Sequence, residues 1–216
     1  MDTSKDNTRA TSSVRVRLAK PADAEKITTV INSAFRLVEE FFVDEDRIDT
    51  GSVLNFLNSG QFLLAEREGT LLGSVYVESS PFPDNQGSHT INNLLTDNRG
   101  NEERDLGHGP FNSQSEIHNP QFPRAYLGLL AVDPAYQQSG LGSVLMNAAE
   151  DYCRAQGASF MDIKVVSLRE ELCGFYRRRG YVKTGTSSFP AEVETKLPCH
   201  FIDMSKPLRA IDKENE

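Results

Sequence analysis

The stretch of sequence that decides the fold is Tyr126-Leu-Gly-Leu-Leu-Ala-Val-Asp-Pro-Ala-Tyr-Gln-Gln-Ser-Gly-Leu-Gly-Ser-Val-Leu145. Its apolar half, from Tyr126 to Val132, predicts a buried strand, and Asp133-Pro134 ends it. The loop Gln137 to Gly142 then opens a strongly amphipathic helix. A strand, a tight loop and a helix N-terminus in this order favour an anion site, because unpaired backbone N–H groups and the positive end of the helix dipole converge there.

The glycines of this loop do not fit two other phosphate-binding patterns. A dinucleotide fingerprint needs three glycines spaced G-x-G-x-x-G directly after the strand, and a P-loop needs Gly-Lys-Ser/Thr. Here Gly140 and Gly142 are followed by Ser143 and Val144. A tight turn with no ligand is the plain alternative for such a short glycine-rich loop.

The loop resembles a motif of a known superfamily. Gln137-x-x-Gly140-x-Gly142 is similar to the Gln/Arg-x-x-Gly-x-Gly/Ala pyrophosphate loop of the GCN5-related N-acetyltransferases (GNAT), and Leu130-Ala131-Val132-Asp133 resembles the strand end before that loop. Downstream, Val165 to Tyr181 resembles the family's strand, helix and Phe/Leu-Tyr-x-x-x-Gly-Phe/Tyr segment. The two motifs together cover Tyr126 to Tyr181.

This resemblance implies acetyl-CoA as cosubstrate and an amine as acceptor. By resemblance, the main-chain N–H of Leu130 donates a hydrogen bond to the thioester oxygen, and Val132 pairs with the pantetheine arm. Tyr176 protonates the leaving thiolate. An ordinary helix aromatic is the alternative for Tyr176. Many members carry Asn seven residues before that tyrosine, where this chain has Arg169, so the role of that Asn is in doubt here. The implied cofactor-binding residues are Leu130, Ala131, Val132, Gln137, Gln138, Ser139, Gly140, Leu141, Gly142, Ser143, Arg169 and Tyr176.

The sequence leaves open which group deprotonates the amine, which is protonated when free at neutral pH. The candidate carboxylates are Glu78, which ends a predicted strand, and Glu39 and Glu40, which by resemblance border the acceptor site. A solvated acidic face is the alternative for all three, and water can carry the proton without a dedicated base. Since Asp44, Glu45 and Asp46 follow closely, we expect this segment to attract a cationic amine.

Hydrophobic periodicity predicts alternating strands and helices over the rest of the chain. With the resemblance, it implies an α/β (α+β) fold: a mixed, mostly antiparallel, twisted sheet of six to seven strands with flanking helices and a splayed central strand pair. The predicted strands are 14–18, 61–67, 70–78, 126–132, 160–166, 181–186 and 198–204. Helices are predicted to begin at Pro21, Thr50 and Leu141, with a fourth that ends before Gly180.

We expect one acetyltransferase domain over 14–209, with flexible tails at 1–13 and 210–216. The segment 80–124 is rich in Asn, Gly, Pro, Ser and Asp and has little periodicity. It is longer than an ordinary connection, so we interpret it as an insertion. It is either a solvated loop or a lid over the acceptor site.

The composition limits which binding partners and which cellular compartment we expect for the protein. A formal net charge of −8 over 216 residues argues against a nucleic-acid-binding surface. Three scattered cysteines form neither a disulfide scaffold nor a zinc cluster, and the four histidines have no metal spacing. With no long apolar run, we expect a soluble cytoplasmic protein, with the nucleus as a second location. We expect no membrane or metal, and a monomer or homodimer.

The leading hypothesis is an acyltransferase that moves the acetyl group of acetyl-CoA onto a small primary amine by direct attack in a ternary complex. A non-catalytic CoA-binding sensor or scaffold is the first alternative, and Tyr176 disfavours it. The second alternative is a transferase for protein N-termini or lysines. Such acceptors need an open groove, which a folded insertion at 80–124 would obstruct.

Overall fold

The computed structural model describes residues 13–39, 46–80, 122–189 and 195–208, without the side chains of 37–39 and 80. The strands are β1 (Arg15–Leu18), β2 (Gln61–Arg67), β3 (Thr70–Ser80), β4 (Arg124–Val132), β5 (Phe160–Val166), β6 (Val182–Ser187) and β7 (Phe201–Pro207). The α-helices are α1 (Ala24–Glu39), α2 (Thr50–Ser59), α3 (Leu141–Ala155) and α4 (Glu170–Arg178). Short 3₁₀ turns at Pro21–Asp23 and Pro134–Tyr136 precede α1 and α3.

The strands form one sheet in the order β1-β2-β3-β4-β5-β7-β6, and neighbouring strands are antiparallel except β4 and β5. This parallel pair is short, because it ends at the partners Tyr126 and Asp162 while β4 continues to Val132 and β5 to Val166. The two strands therefore diverge and leave a gap in the middle of the sheet. The predicted mixed sheet with a splayed central pair is confirmed.

Each face of the sheet is covered by its own pair of helices. On one face, α3 and α4 bury Leu145, Met146 and Cys173 against the sheet. On the other face, α1 and α2 form a second core with Ile27 and Phe56 among its buried residues. Alternation along the strands supplies both cores. On β3, for example, Val75 and Val77 belong to the α3/α4 core and Tyr76 to the α1/α2 core.

The predicted elements agree with this architecture, with some different ends. The hairpin at Glu68-Gly69 is confirmed, and both residues have positive φ, 52° and 78°. The predicted bounds of β2 (61–67) and β5 (160–166) are confirmed. The strand predicted at 126–132, which is β4, begins two residues earlier, at Arg124. The last strand, predicted at 198–204, was placed wrongly. It runs over Phe201–Pro207, because it pairs along the whole of β5, from Val166 opposite Phe201 to Phe160 opposite Pro207.

Most of the predicted insertion and tails lies outside the described residues. At the ends of the insertion, Ser80 and Arg124 are partners in the β3–β4 register. Cys153 and Cys173 are buried and Cys199 is partly buried, all as free thiols. Over the described ranges, no helix has the length and apolar character needed to cross a membrane.

Candidate active site

β4 carries a bulge at the place where it leaves β5. Gly128 is opposite Tyr76 and Ala131 is opposite Ser74, so two residues of β4 face one residue of β3. Leu129, the first of these two, has a left-handed backbone with φ 48°. A bulge redirects the backbone groups of the strand that contains it. Leu130, the second residue, thereby lies in the wall of the gap between β4 and β5.

The gap is a cavity of about 470 Å³. Its wall on one side is β4 and the loop that follows, and on the other side β5 and α4. Tyr126 lies where the two strands meet, and Phe35 and Arg47 approach from the α1 side. Of the twelve cofactor-binding residues predicted from the sequence, ten line this cavity: Leu130, Val132, Gln137, Gln138, Gly140, Leu141, Gly142, Ser143, Arg169 and Tyr176. Ala131 is instead buried in the α1/α2 core, and Ser139 lies in the loop.

Three hydrogen bonds within residues 132–139 hold the loop between β4 and α3. The Asp133 side chain accepts from the Ala135 N–H at 2.8 Å, and the Gln137 Nε2 donates to the Val132 carbonyl at 3.3 Å. The Ser139 hydroxyl donates to the Tyr136 carbonyl at 2.5 Å. The Gln137 side chain thus contributes to loop shape by holding the loop to the end of β4.

The loop contains consecutive backbone donors that have no acceptor among the described residues. The N–H groups of Ser143 and Val144 donate to the Gly140 carbonyl at 3.0 and 3.2 Å, so the Ser143 N–H predicted for the pyrophosphate is engaged within α3. In the described part of the chain, the N–H groups of the five residues before Ser143 have no acceptor: Gln138, Ser139, Gly140, Leu141 and Gly142. Five donors at a helix N-terminus are suited to an anion.

Two glycines keep the main chain accessible at this point. Gly140, the residue before α3, has φ 86°, a conformation that side chains disfavour. Gly142 lies in the first turn of α3, and a Cβ built there meets no heavy atom within 4 Å. The space beside Gly142 is open, so a ligand can approach the backbone there without displacing protein atoms.

Arg169 adds a positive charge to the wall of the cavity. It precedes the first residue of α4, and its side chain is 17% exposed and pairs with Glu171. The sequence predicted this residue in the place of the family's Asn. A guanidinium has donors in several directions and remains charged, so it can hold an anionic or carbonyl oxygen where an amide would.

Tyr176 is the most deeply buried phenol of the cavity wall. It is 8% exposed, and its hydroxyl has no hydrogen-bond partner within the described residues. Burial, with a smaller contribution from Tyr126, raises its pKa above the ordinary value, although the charges of Arg169 and Arg179 oppose this. The phenol is therefore protonated at neutral pH and can donate a proton or a hydrogen bond.

The predicted carboxylates differ in how far the structure describes them. Glu78 accepts a hydrogen bond from the Tyr76 hydroxyl at 3.2 Å and is the register partner of Tyr126, which lines the cavity. Glu39 is the last residue of α1, and its side chain lies outside the described part of the structure. The whole of Glu40 lies outside the described residues. Asp46 pairs with Arg36 at 2.6 Å on the surface, so this carboxylate already has a cationic partner within the chain.

Sequence reasoning missed several residues of the cavity wall. From the sequence, Tyr126 is interpreted only as the start of a buried strand. A phenol within an apolar run was a possible signal of a residue that lines a site. Burial raises the pKa of Tyr126 to about 12, against the opposing charge of Arg47. Arg47 and Lys164 also line the cavity. A lysine at position 164 is what an alternating strand with one polar face would have. Its place in the sequence therefore did not indicate a functional site.

A second cavity, of about 430 Å³, lies at the opposite ends of β3 and β4. Its wall includes Gln61, Arg124, Tyr152 and Gln156. It shares no lining residue with the first cavity. The phosphate-type loop, Arg169 and Tyr176 all belong to the first cavity, so the candidate chemistry is concentrated there.

The fold is shared with solved acetyltransferase structures. A GNAT-family acetyltransferase from Streptococcus pneumoniae matches with a TM-score of 0.57 and 16% identity, covering 90% of this chain and 99% of that one. A ribosomal-protein-alanine N-acetyltransferase from Brucella melitensis matches at 0.58 and 15%, covering 89% and 99%. The protein yncA from Salmonella typhimurium, solved with its cofactor acetyl-CoA, matches at 0.58 and 20%, covering 92% and 96%.

At these identities the structural matches establish the fold alone. No curated protein sequence matches the chain significantly. The model of the acetyltransferase (GNAT) family matches residues 31–181, which is more than half of the chain and includes both sequence motifs. The chain belongs to the GNAT family of acetyltransferases.

Proposed function

We propose that the protein transfers the acetyl group of acetyl-CoA to the primary amine of a small molecule, by direct attack in a ternary complex. The observation that carries the proposal is the set of N–H groups before and at the start of α3 that have no acceptor among the described residues. Four of the five residues that carry them line the same cavity as the buried phenol of Tyr176. One end of the cavity can bind an anion, and a proton donor lies in its wall. This combination suits a phosphorylated thioester.

The residues present fit acetyl-CoA. The donors from Gln138 to Gly142, which have no acceptor among the described residues, can bind a pyrophosphate, and the open space beside Gly142 admits it. The diverging edges of β4 and β5 leave room for an extended arm between them. Arg169 supplies a cation in the same wall. When bound, acetyl-CoA supplies an activated acyl group and a thiolate leaving group.

The residues of β4 and α4 provide two kinds of assistance. The Leu130 N–H, redirected by the bulge, is our candidate donor to the thioester oxygen as that oxygen gains charge, a role that needs a fixed donor in a dry site. Tyr176 is our candidate donor to the departing sulfur. An ordinary phenol titrates near 10 and a thiol near 8.5, so donation is uphill and must be coupled to capture of a proton from the amine or water.

The amine must lose a proton before or during its attack. Glu78 is a register partner of Tyr126, which lines the cavity, and is our first candidate to accept that proton. Water is the alternative route. The C–N bond forms as the C–S bond breaks, and the products are the amide and free thiol with one proton released.

The cavity of about 470 Å³ has to hold acetyl-CoA as well as the acceptor, so the choice between a small amine and a protein acceptor is made by experiment. A protein acceptor is the competing assignment, since one similar structure is named as a ribosomal-protein-alanine N-acetyltransferase. A binding module without catalysis would have no use for a protonated phenol in the cavity wall.

The test is thiol release from acetyl-CoA in the presence of a panel of small amines and of peptides with free N-termini or lysines. We expect release that depends on a small amine, with a matching N-acetyl product in the mass spectrum. Acetyl-CoA binding without release for any acceptor would indicate the binding module instead. Release with peptides alone would assign the protein acceptor.

A further inference from the structure

Arg179 lies next to Tyr176 but outside the active-site cavity. It follows the last residue of α4, and its N–H donates to the Tyr176 carbonyl at 3.0 Å. Residues three apart near the end of a helix are neighbours on its surface. Among the described residues, the lining of the cavity includes Arg169 and Tyr176 but not Arg179. The acetyl transfer proposed above gives this guanidinium no role.

Two residues of α3 and one aromatic ring hold the Arg179 guanidinium. Its Nη2 donates to the Asn147 Oδ1 at 2.5 Å and lies 3.7 Å from the Glu150 Oε1. The guanidinium carbon lies 5.8 Å from the centre of the Phe175 ring. Only 15% of the Arg179 side chain is exposed. The charge therefore has a defined position, unlike that of an arginine on the open surface.

The charge of Arg179 is only partly neutralised by its neighbours. The Glu150 carboxylate binds the Lys206 ammonium at 2.6 Å, whereas its distance to Arg179 is 3.7 Å. Since Coulomb attraction weakens with distance, Lys206 takes the larger share of this carboxylate. The Arg179 Nε–H is buried and has no acceptor among the described residues. Two cations thus share one carboxylate, and a net positive charge remains close to Tyr176.

The phenol of Tyr176 responds to this charge. Burial raises the pKa of Tyr176 and Tyr126 adds to the effect, while the charges of Arg169 and Arg179 lower it. Arg169 pairs with Glu171 and lines the cavity, where a bound cofactor can engage it. Arg179 does not line the cavity, so its effect on the phenol does not depend on what the cavity holds.

We propose that Arg179 is a positioning residue that acts through Tyr176: it stabilises the negative charge that the phenol acquires when it gives its proton to the departing thiolate. The inference rests on the proposed acetyl transfer and on the role of Tyr176 in it. In that step the O–H bond of the phenol breaks, an S–H bond forms on CoA, and a phenolate remains. The proton that the attacking amine loses then restores the phenol, through water.

The physical need for such a charge follows from the two acids involved. The usual pKa of a phenol is about 10 and that of a thiol about 8.5, so the transfer is uphill, and burial of Tyr176 makes it more so. A fixed positive charge near the phenolate, in a site with little water, lowers the cost of forming it. Arg179 supplies this charge without occupying space that the substrates need.

The test begins with Arg179→Gln, which removes the charge and keeps a polar side chain. With saturating acetyl-CoA and the best amine of the panel, we expect kcat to fall about tenfold. This is less than the loss expected for Tyr176→Phe, because the phenol remains as proton donor. The KM of the amine and the affinity for acetyl-CoA should not change, since Arg179 does not line the cavity. If Arg179→Gln loses cooperative unfolding in urea, Arg179→Met, which keeps an apolar stem over Phe175, takes its place.

Three comparisons separate this role from a structural one. Arg179→Lys keeps the charge and should restore most of kcat. Arg178→Gln is the matched control, because it removes the same charge from the exposed neighbouring residue, and its kcat should equal that of the wild type. Arg179→Gln is also combined with Tyr176→Phe. A residue that acts through the phenol has no effect once the hydroxyl is gone, so the double variant should be no slower than Tyr176→Phe alone.

Four results would overturn the inference. A wild-type kcat in Arg179→Gln would show that its charge does not assist the phenol, and a wild-type kcat in Tyr176→Phe would remove the step that it assists. A further loss in the double variant, or a loss that Arg179→Lys does not relieve, would show a structural role only. Weaker binding of acetyl-CoA to Arg179→Gln would assign the guanidinium to the cofactor. Absence of thiol release from the wild type with every acceptor, with acetyl-CoA still bound, would instead refute the proposed function.

Discussion

Tyr176 combines burial with access to the cavity. The ring packs against Phe175 and Tyr181, with centres 5.2 and 5.7 Å apart, so its position is fixed by neighbours on α4 and just after it. Burial raises its pKa, which keeps the phenol protonated from acid to mildly alkaline pH. A proton donor is therefore available throughout the range in which an amine begins to lose its own proton.

We expect Tyr176→Phe to keep acetyl-CoA affinity and lose turnover by roughly 10²–10⁴-fold, the usual worth of general acid–base assistance. Steady-state kinetics with the best amine of the panel measures this. Tyr152→Phe is the matched control, because Tyr152 lines the second cavity and should keep wild-type turnover. Normal turnover in Tyr176→Phe would mean that the phenol only packs and that water protonates the sulfur.

Single residues of the site were predictable from the sequence only where a motif named them. Gly140, Gly142 and Tyr176 belong to such motifs. Lys164 and Arg47 do not, because their meaning depends on the face of the sheet to which they point and on aromatic rings distant in sequence. The formal net charge of the chain is negative, while the charged residues among the described lining of the cavity are cationic. Net charge is a sum over the surface and does not specify the charge of one cavity.

At the scale of the element, the bulge in β4 determines the site. Leu129 and Leu130 are indistinguishable from other apolar strand residues in the sequence, so the strand was predictable and the bulge was not. The register shift and the positive φ of Leu129 show it directly. A left-handed conformation costs a residue with a side chain about 1–2 kcal/mol relative to glycine.

This strain predicts an inverted glycine effect at Leu129. In an ordinary strand, Gly is less stable than Ala by about 0.5–1 kcal/mol. Leu129→Gly and Leu129→Ala remove nearly the same packing contacts, but only glycine adopts φ 48° without steric strain. We expect Leu129→Gly to be the more stable variant by about 1 kcal/mol, measured by urea denaturation. If Leu129→Ala is more stable, the left-handed bulge is wrong.

At the scale of the whole molecule, the sheet has two covered faces, and one gap opens in the middle of it. The diverging strands β4 and β5 form the gap, and each face has its own helices and core. The order of strands was not predicted, since periodicity alone does not specify which strands are neighbours. The last strand was predicted to begin three residues too early, because its start is fixed by pairing with β5, from Phe201 opposite Val166, and not by local sequence.

The pairing of Ser80 with Arg124 predicts that a short turn can replace residues 81–121. A Gly-Asn-Gly linker before Phe122 would give a hairpin loop of about five residues, a common length. Phe122 and Pro123 are kept, because the Pro123 carbonyl accepts the Ser159 N–H at 2.7 Å. We expect the free energy of unfolding to change by less than about 1 kcal/mol. Loss of a cooperative urea transition would show that the replaced segment is part of the domain.

The central claim is that acetyl-CoA binds at the loop from Gln137 to Ser143, and one calorimetric comparison tests it most directly. Gly142→Ala adds a methyl group that meets no protein atom within 4 Å, so the free energy of unfolding should remain within about 1 kcal/mol of wild type. The same methyl group lies where we place the pyrophosphate. We predict measurable binding of acetyl-CoA to the wild type and at least about tenfold weaker binding to the variant. Equal affinity in two equally stable proteins would contradict the account.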